Sequence, residues 1–307
     1  MIAVTCLNPA FDRTMEVSQL RPGEVNRTVR TLLGAGGKGV NVATVLQTLG
    51  EEARCYGFTG KENMQQFMSC LELGMDAFCP IPVEGRVRTN TKIVSLQDHA
   101  VTEVNEAGPE INENAISALL ERMQEDMQQI RFMVLTGSIP VGCRKDVYRL
   151  LMTQFRVPVF LDASGDVLRE GVSGAPAYVK PNLAELEEWY GMPVRDTGTM
   201  IRAARLMLDA GVHGVLVSMG AQGAWLILPQ KVYHAEALSV PVCSTVGAGD
   251  AMVAGFLYGY LHHGDELEAL CHGTACGAAS VMTPGTGLVR YEDYRALLPK
   301  VKVELYN

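Results

Sequence analysis

Ser244-Thr245-Val246-Gly247-Ala248-Gly249-Asp250 runs directly into the apolar stretch Ala251-Met252-Val253-Ala254-Gly255-Phe256-Leu257. A glycine turn that opens a helix leaves backbone N–H groups unpaired and aims the positive end of the helix dipole at whatever lies in front of it. Gly247 and Gly249 permit that turn, and Asp250 sits where the field favours the ionised carboxylate that a proton acceptor needs. The stretch reads either as an anion-binding helix start carrying a base, with amides of Gly247, Ala248 and Gly249 bare, or as a plain capped loop. Its company in the chain has to choose.

Upstream, short apolar runs alternate with helical periodicity. Ile2 to Leu7 reads as a buried strand stopped by Asn8-Pro9. Arg54 to Phe58, Ala77 to Pro82, Phe132 to Thr136, Pro158 to Asp162 and Tyr178 to Lys180 read as further strands, and Gly214 to Ser218 as another. Helices are expected over 40–50, 61–73, 112–129, 145–155, 182–190, 199–210 and 265–281. This βα alternation predicts a parallel sheet covered by helices, with Gly223 to Leu228 and Lys231 to Ala235 as an antiparallel edge pair. Two segments break the rhythm, about 12–33 and 86–106, and their mixed polar and apolar pattern suits a small second sheet inserted as a lid in a single domain spanning 1–307.

Composition narrows the function. A chain of 307 residues with 48% apolar and 20% charged residues is an ordinary globular protein with a sizeable core. A net charge of −8 argues against general nucleic-acid or anionic-membrane binding, so a phosphate-bearing ligand has to be held by local positive charge. The eight cysteines form no C-x-x-C pair, which suits reduced thiols, and no apolar run reaches transmembrane length, so a cytoplasmic location is expected.

Local charge and glycine recur together. Gly34-Ala35-Gly36-Gly37-Lys38-Gly39 precedes a helix bearing Asn41, and suits a sugar's hydroxyls and phosphate, or is a tight turn. It also satisfies G-x-G-x-x-G, so an NAD-dependent oxidoreductase is a rival reading, though a hairpin intervenes after the first strand and no acidic strand end lies about 20 residues on. Asp12 can accept hydrogen bonds from two hydroxyls or close an Asx turn. Arg27 and Arg88 lie on the inserted strands as phosphate forks or solvated charges. Lys180-Pro181-Asn182-Leu183-Ala184-Glu185 places Asn182 and Glu185 on one face of a helix start, suited to Mg²⁺-bound water and phosphate or to a capping box. Ser218 to Gly223, with Gly220, is a strand-to-glycine turn open to a nucleotide or a hairpin. His262-His263 reads as a solvated helix end and not as a metal site.

In this order, Asn8-Pro9-Ala10-Phe11-Asp12, Gly36-Gly37-Lys38-Gly39-Val40-Asn41, Arg88-Thr89-Asn90, Thr136-Gly137-Ser138-Ile139-Pro140, Lys180-Pro181-Asn182 with Glu185, and Ser244 to Asp250 resemble the motifs of the PfkB (ribokinase-like) carbohydrate kinases over essentially the whole chain. The resemblance implies an α/β, ribokinase-like three-layer αβα fold with a mostly parallel central sheet and a small β-sheet lid. It implies ATP and Mg²⁺ as cosubstrate and ion, a sugar phosphate as partner, and a homodimer through the lid. Gly23 to Arg27, Arg88 to Asn90 and Thr102 to Glu106 look closest to members that phosphorylate the 6-hydroxyl of fructose 1-phosphate, with tagatose 6-phosphate kinases the near rival.

Residue roles follow from the same resemblance. Asp250 is implied as the base, with the amides of Gly247, Ala248 and Gly249 stabilising the transferred group. Asp12, Gly36, Gly37, Asn41 and Asn90 are implied to hold the sugar, and Arg27, Lys38, Arg88 and Ser138 its phosphate. Lys180, Asn182, Glu185, Ser218, Gly220, Gly223 and Ala275 are implied on the nucleotide side, with Glu185 reaching Mg²⁺ through water.

Overall fold

The computed structural model describes residues 1–74, 77–283 and 288–306. The apolar opening run forms β1 (Ile2–Cys6). Asn8-Pro9 ends it, because proline brings no N–H to a ladder, and the chain crosses into a second sheet. There β2 (Ala10–Val17) and β3 (Thr28–Gly36) pair antiparallel, with Asp12 opposite Gly34. α1 (Lys38–Thr48), β4 (Ala53–Gly60), α2 (Met64–Ser69) and β5 (Phe78–Val83) return to the first sheet. β6 (Arg88–Ser95) and β7 (Val101–Asn105) then complete the second, β6 parallel to β2 with Asn90 beside Asp12.

From there the alternation is regular. α3 (Glu113–Glu125), β8 (Phe132–Thr136), α4 (Val147–Phe155), β9 (Val159–Asp162) and α5 (Gly165–Val172) lead to β10 (Tyr178–Val179). α6 (Leu183–Tyr190), α7 (Thr197–Asp209), β11 (Gly214–Ser218), β12 (Ala224–Ile227) and β13 (Val232–Ala235) follow. The chain ends with α8 (Ala248–His263), α9 (Glu266–Val281), α10 (Tyr291–Leu297) and β14 (Val303–Leu305).

The large sheet has the order β14-β13-β12-β11-β10-β9-β8-β1-β4-β5, parallel from β11 to β5 and antiparallel from β11 to β14. Its inner parallel strands are buried on both faces, as strands under crossover helices must be, whereas the edge strand β14 is largely exposed. Val4, Val134 and Phe160 pack with α1, α8 and α9 on one side. Ala3, Leu135 and Leu161 pack with α3, α4 and α7 on the other. The four-stranded sheet β3-β2-β6-β7 is half exposed, with Val29, Leu33, Val101 and Val104 open to solvent. Among the described residues no helix is long and apolar enough to cross a membrane.

Three differences from the sequence pattern have local causes. The periodicity over 61–73 predicts a long helix, but Asn63 exchanges hydrogen bonds with the backbone of Val87 (2.8 and 3.0 Å) and Lys61 bridges to Arg86, so α2 begins only at Met64. β12 and β13 are not the edge, because β14 pairs with β13. α5, α10 and β14 are eight residues or fewer, too short for periodicity to mark them.

α8 is held on the sheet by Phe256, whose ring meets Phe160 at 5.5 Å and Tyr178 at 4.9 Å edge to face. Phe256→Ala is expected to lower the unfolding free energy by about 3–5 kcal/mol in a guanidinium titration. An unchanged midpoint would show that α8 is anchored elsewhere.

Candidate active site

β1, β8, β9, β10 and β11 all end at one rim, and the residues just past them are Leu7 and Asn8, Gly137 and Ser138, Ala163 and Ser164, Lys180, and Ser218 itself. All of them line a cavity of about 530 Å³. The chain builds outward from β1 in both directions, first to β4 and β5 and later to β8 and β9, so the rim beside β1 is the switch point where open α/β sheets bind ligands.

Gly247 caps α8 with φ of +78°, a left-handed conformation that side-chain-bearing residues adopt at a cost. Its turn brings Asp250 into the first helical turn, 6% exposed. Asn41 Nδ2, carried on α1, donates to Asp250 Oδ2 at 2.8 Å. Burial, and next the negative charge of Asp162, push the Asp250 carboxyl up to about 6, against the opposing pull of Lys38 and Asn41. A carboxylate with that affinity for a proton is a competent base near neutral pH. Among the described residues the amides of Gly247 and Gly249 have no protein acceptor, whereas that of Ala248 donates to Thr245 O at 3.4 Å. The expected trio of bare amides is therefore two.

Asp162, at the end of β9, carries no motif and escaped the sequence pattern. It is fully buried and holds three partners: Lys38 Nζ at 3.3 Å to each oxygen, Lys180 Nζ at 3.2 Å and Thr136 Oγ1 at 3.2 Å. Burial by itself would raise its pKa; the charges of Lys180 and Lys38 outweigh it and hold the carboxyl below the usual range. Burial would likewise depress Lys38, but Asp162, then Asp250 and Glu185, outweigh it and keep the ammonium charged. Lys180 also stands at the helix start, since a Cβ on Gly249 would lie 3.2 Å from its Nζ.

The four-stranded sheet supplies the opposite wall. Asn90 Nδ2 donates to Asp12 Oδ1 at 3.2 Å, and Gly36 lies so close that a Cβ there would fall 2.1 Å from Asp12 Oδ2. Burial raises the Asp12 pKa. Arg88 is fixed by the carbonyls of Asn8 (3.1 Å) and Glu106 (3.3 Å) and by Ser138 Oγ (3.4 Å). Lys92, Glu103 and Asn105 also line the cavity; Lys92 reads as an ordinary strand residue, while Glu103 and Asn105 fall in the Thr102 to Glu106 stretch, to which the sequence assigned no role. Two buried atoms, Asn8 Oδ1 and Asn90 Oδ1, have no hydrogen-bond partner among the described residues, as expected of a site built for a polar ligand.

A second, more apolar cavity of about 620 Å³ adjoins the first, and Ser218 and Gly249 belong to both. Gly220, Gly223, Ala248, Leu238, Val240 and Met252 line it. Thr274 Oγ1, also in its wall, is buried with no partner among the described residues. Asn182 and Glu185 form the capping box that opens α6, each side chain taking the other's backbone N–H at 2.9 Å, and both still face the first cavity. Only Oε2 of Glu185 is used there, which leaves Oε1 for a hydrated cation.

Three expected residues line neither cavity: Gly36 packs behind the Asp12 carboxylate, and two others lie elsewhere. Ala275 is buried in the core, because α9 turns Thr274, Gly277 and Ala278 toward the cavity and Ala275 away from it. Arg27 is exposed in the segment before β3 and lines neither cavity, because β3 runs away from the rim toward that end. The G-x-G-x-x-G match is not a dinucleotide loop, since Gly34 and Gly36 belong to β3 of the antiparallel pair and not to a turn after a core parallel strand.

A doubly covered parallel sheet, with a polar and an apolar cavity meeting at a helix start that carries a buried base, defines a small-molecule phosphotransferase. The family model for the pfkB family of carbohydrate kinases matches residues 5–292, and the chain belongs to that family. It is 34% identical to a 1-phosphofructokinase of Vibrio cholerae over 98% of this chain and 96% of that one. In fold it is similar to a protein of Thermotoga maritima described as a possible 1-phosphofructokinase (TM-score 0.90, 24% identity, all of both chains). It is also similar in fold to phosphofructokinase-2 of Escherichia coli in a form described as tetrameric and inhibited (TM-score 0.87, 22% identity, 97% of this chain and 98% of that one).

The Asp250 carboxyl is expected to titrate near pH 6 by ¹³C NMR, and in Asp162→Asn, which removes the neighbouring negative charge, to titrate lower. Because the folded-state value lies above the ordinary 3.8, the contribution of Asp250 to stability is full below that pH and is lost as pH rises through 6. The same midpoint in both proteins would refute the coupling.

Proposed function

We propose that this chain transfers the γ-phosphate of ATP to the 6-hydroxyl of fructose 1-phosphate, giving fructose 1,6-bisphosphate and ADP. The observation that carries the reading is the meeting of the two cavities at Gly249, one helical position from the buried base Asp250. The likeness to 1-phosphofructokinases over the full chain supports the choice of acceptor.

Asp12 and Asn90 hold sugar hydroxyls from the four-stranded sheet, and Gly37 and Asn41 from the α1 side. Arg88 and Lys92, with Ser138, meet the acceptor's own phosphate, which gives an acidic protein the local positive charge it needs. Asn41 orients the Asp250 carboxylate, which takes the proton of the 6-hydroxyl as oxygen attacks phosphorus. The amides of Gly247 and Gly249, with Lys38 and Lys180 anchored on Asp162, stabilise the charge that builds on the transferring group. The nucleotide lies across Ser218, Gly220 and Gly223, its base against the apolar wall and its hydrogen-bonding edge toward Thr274. Glu185 would hold Mg²⁺ through water, and the ion would supply positive charge to the nucleotide phosphates.

The four-stranded sheet acts as the lid of this single domain. Its exposed apolar residues, with Val25 in the adjoining loop 87% exposed, suit burial against a second copy, so we infer a cytoplasmic homodimer through the lid.

Asp250→Asn is expected to cut kcat by at least about 10²-fold while ATP binding, measured by calorimetry, stays within a few-fold. For the native chain kcat/KM is expected to rise with pH through about 6 as Asp250 ionises. A coupled assay should show fructose 1-phosphate preferred over tagatose 6-phosphate and fructose 6-phosphate; preference for either 6-phosphate would overturn the acceptor, and turnover surviving in Asp250→Asn would overturn the base.

A further inference from the structure

α8 ends about 20 Å beyond Asp250, at 1.5 Å per residue, with His262-His263. Gly264 turns the chain, and the Asp265 side chain accepts from the Leu267 N–H at 3.0 Å to start α9 back along α8. That reversal brings three side chains together from a ten-residue stretch. Glu268 and His272 are one turn apart on α9 and share a face, and His263 comes to them from the end of α8. One ligand atom from each of His263, Glu268 and His272 lies within 4.8 Å of the other two. The two imidazoles are 5.2 Å apart, centroid to centroid.

His263 is exposed and Glu268 half-buried, and the buried member, His272, is held in place. His272 is 5% exposed, and its Nδ1 lies 2.6 Å from the Tyr294 hydroxyl, which leaves Nε2 as the ligating nitrogen. A second hydrogen bond that fixes the ring is what orients metal-bound histidines. His262, the other histidine of the pair, is taken by Glu51 at 2.5 Å and stays outside the group. None of the three lines either cavity of the transfer site.

We propose that His263, Glu268 and His272 bind a borderline divalent transition-metal ion of the Zn²⁺ type. Two imidazole nitrogens and one carboxylate are a three-ligand zinc set with a fourth position for water. The same donors suit Mg²⁺ poorly, because it demands oxygen in octahedral array, so this site is separate in chemistry as well as place from the Mg²⁺ of phosphoryl transfer. The ion ties the exposed end of α8 to α9 and so braces, from behind, the helix that carries Asp250.

The test is titration of the full chain, stripped with a chelator, with Co²⁺ and with Zn²⁺ in excess Mg²⁺. One saturable site per chain is expected, with Co²⁺ absorption free of a thiolate charge-transfer band, a mark that separates this site from binding by the cysteines. His263→Ala and Glu268→Gln, both outside the core, are expected to weaken binding at least about tenfold and to reduce the rise in melting temperature that Zn²⁺ gives the native chain. Circular dichroism of the metal-free variants establishes that they are folded. A thiolate band, binding unchanged in both folded variants, or no saturable binding in the native chain would each overturn the proposal.

Discussion

The site depends on one buried negative charge. Asp162 has no exposure to water, and a carboxylate there is tolerable only because Lys38, Lys180 and Thr136 converge on it. Those partners come from α1, from the residue after β10 and from the end of β8. One anion therefore fastens together three chain segments that the crossover connections bring to the same rim. It leaves two ammonium groups beside the start of α8 that cannot wander, and its field adds to burial in raising the proton affinity of Asp250. Removing Asp162 would leave two neighbouring ammonium groups without their shared counterion, so the cluster fixes geometry as much as it supplies electrostatics.

Around this anchor the two sheets divide the work. The parallel sheet, covered on both faces, presents its strand ends and helix starts as a rigid bed: Lys180, Gly247, Gly249 and Asp250 stand on elements packed by large buried side chains such as Phe160, Tyr178 and Phe256. The smaller sheet contributes Asp12, Arg88, Asn90 and Lys92. Asp12 is only a few residues from β1, yet its strand pairs entirely with β3 and β6, so in the proposed reaction the Asn8-Pro9 crossing assigns recognition of the acceptor to a different sheet from the one that positions the proposed base.

Much of this was legible in the chain because the relevant signals are local. Glycine turns ahead of apolar helices mark Gly37 and Gly247, and the βα alternation gives the layer order. The capping box at Asn182 and Glu185 shows how two readings of a motif coexist: the residues cap α6 and still border the cavity. What stayed hidden was non-local. Asp162 closes a short apolar strand like any other, and nothing nearby reveals that Lys38, 124 residues away, bonds to it. Ala275 was misplaced because a one-residue error on a helix rotates a side chain by about 100°, from the cavity to the core. Arg27 was misplaced because its position depends on which way a hairpin strand leaves the rim. His263 is solvent-exposed, as a helix end reads, and what stayed hidden was that the turn at Gly264 brings it beside Glu268 and His272 of α9.

The Asn8-Pro9 crossing bears on economy as well as recognition. In the proposed reaction a water molecule entering alone meets Asp250 and the nucleotide, but it lacks the hydroxyl handles by which Asp12 and Asn90 align an attacking oxygen across the gap between the sheets. A base mounted on one body and an acceptor cradle on the other make idle hydrolysis of the nucleotide slow by construction, and productive turnover becomes conditional on a sugar long enough to span both.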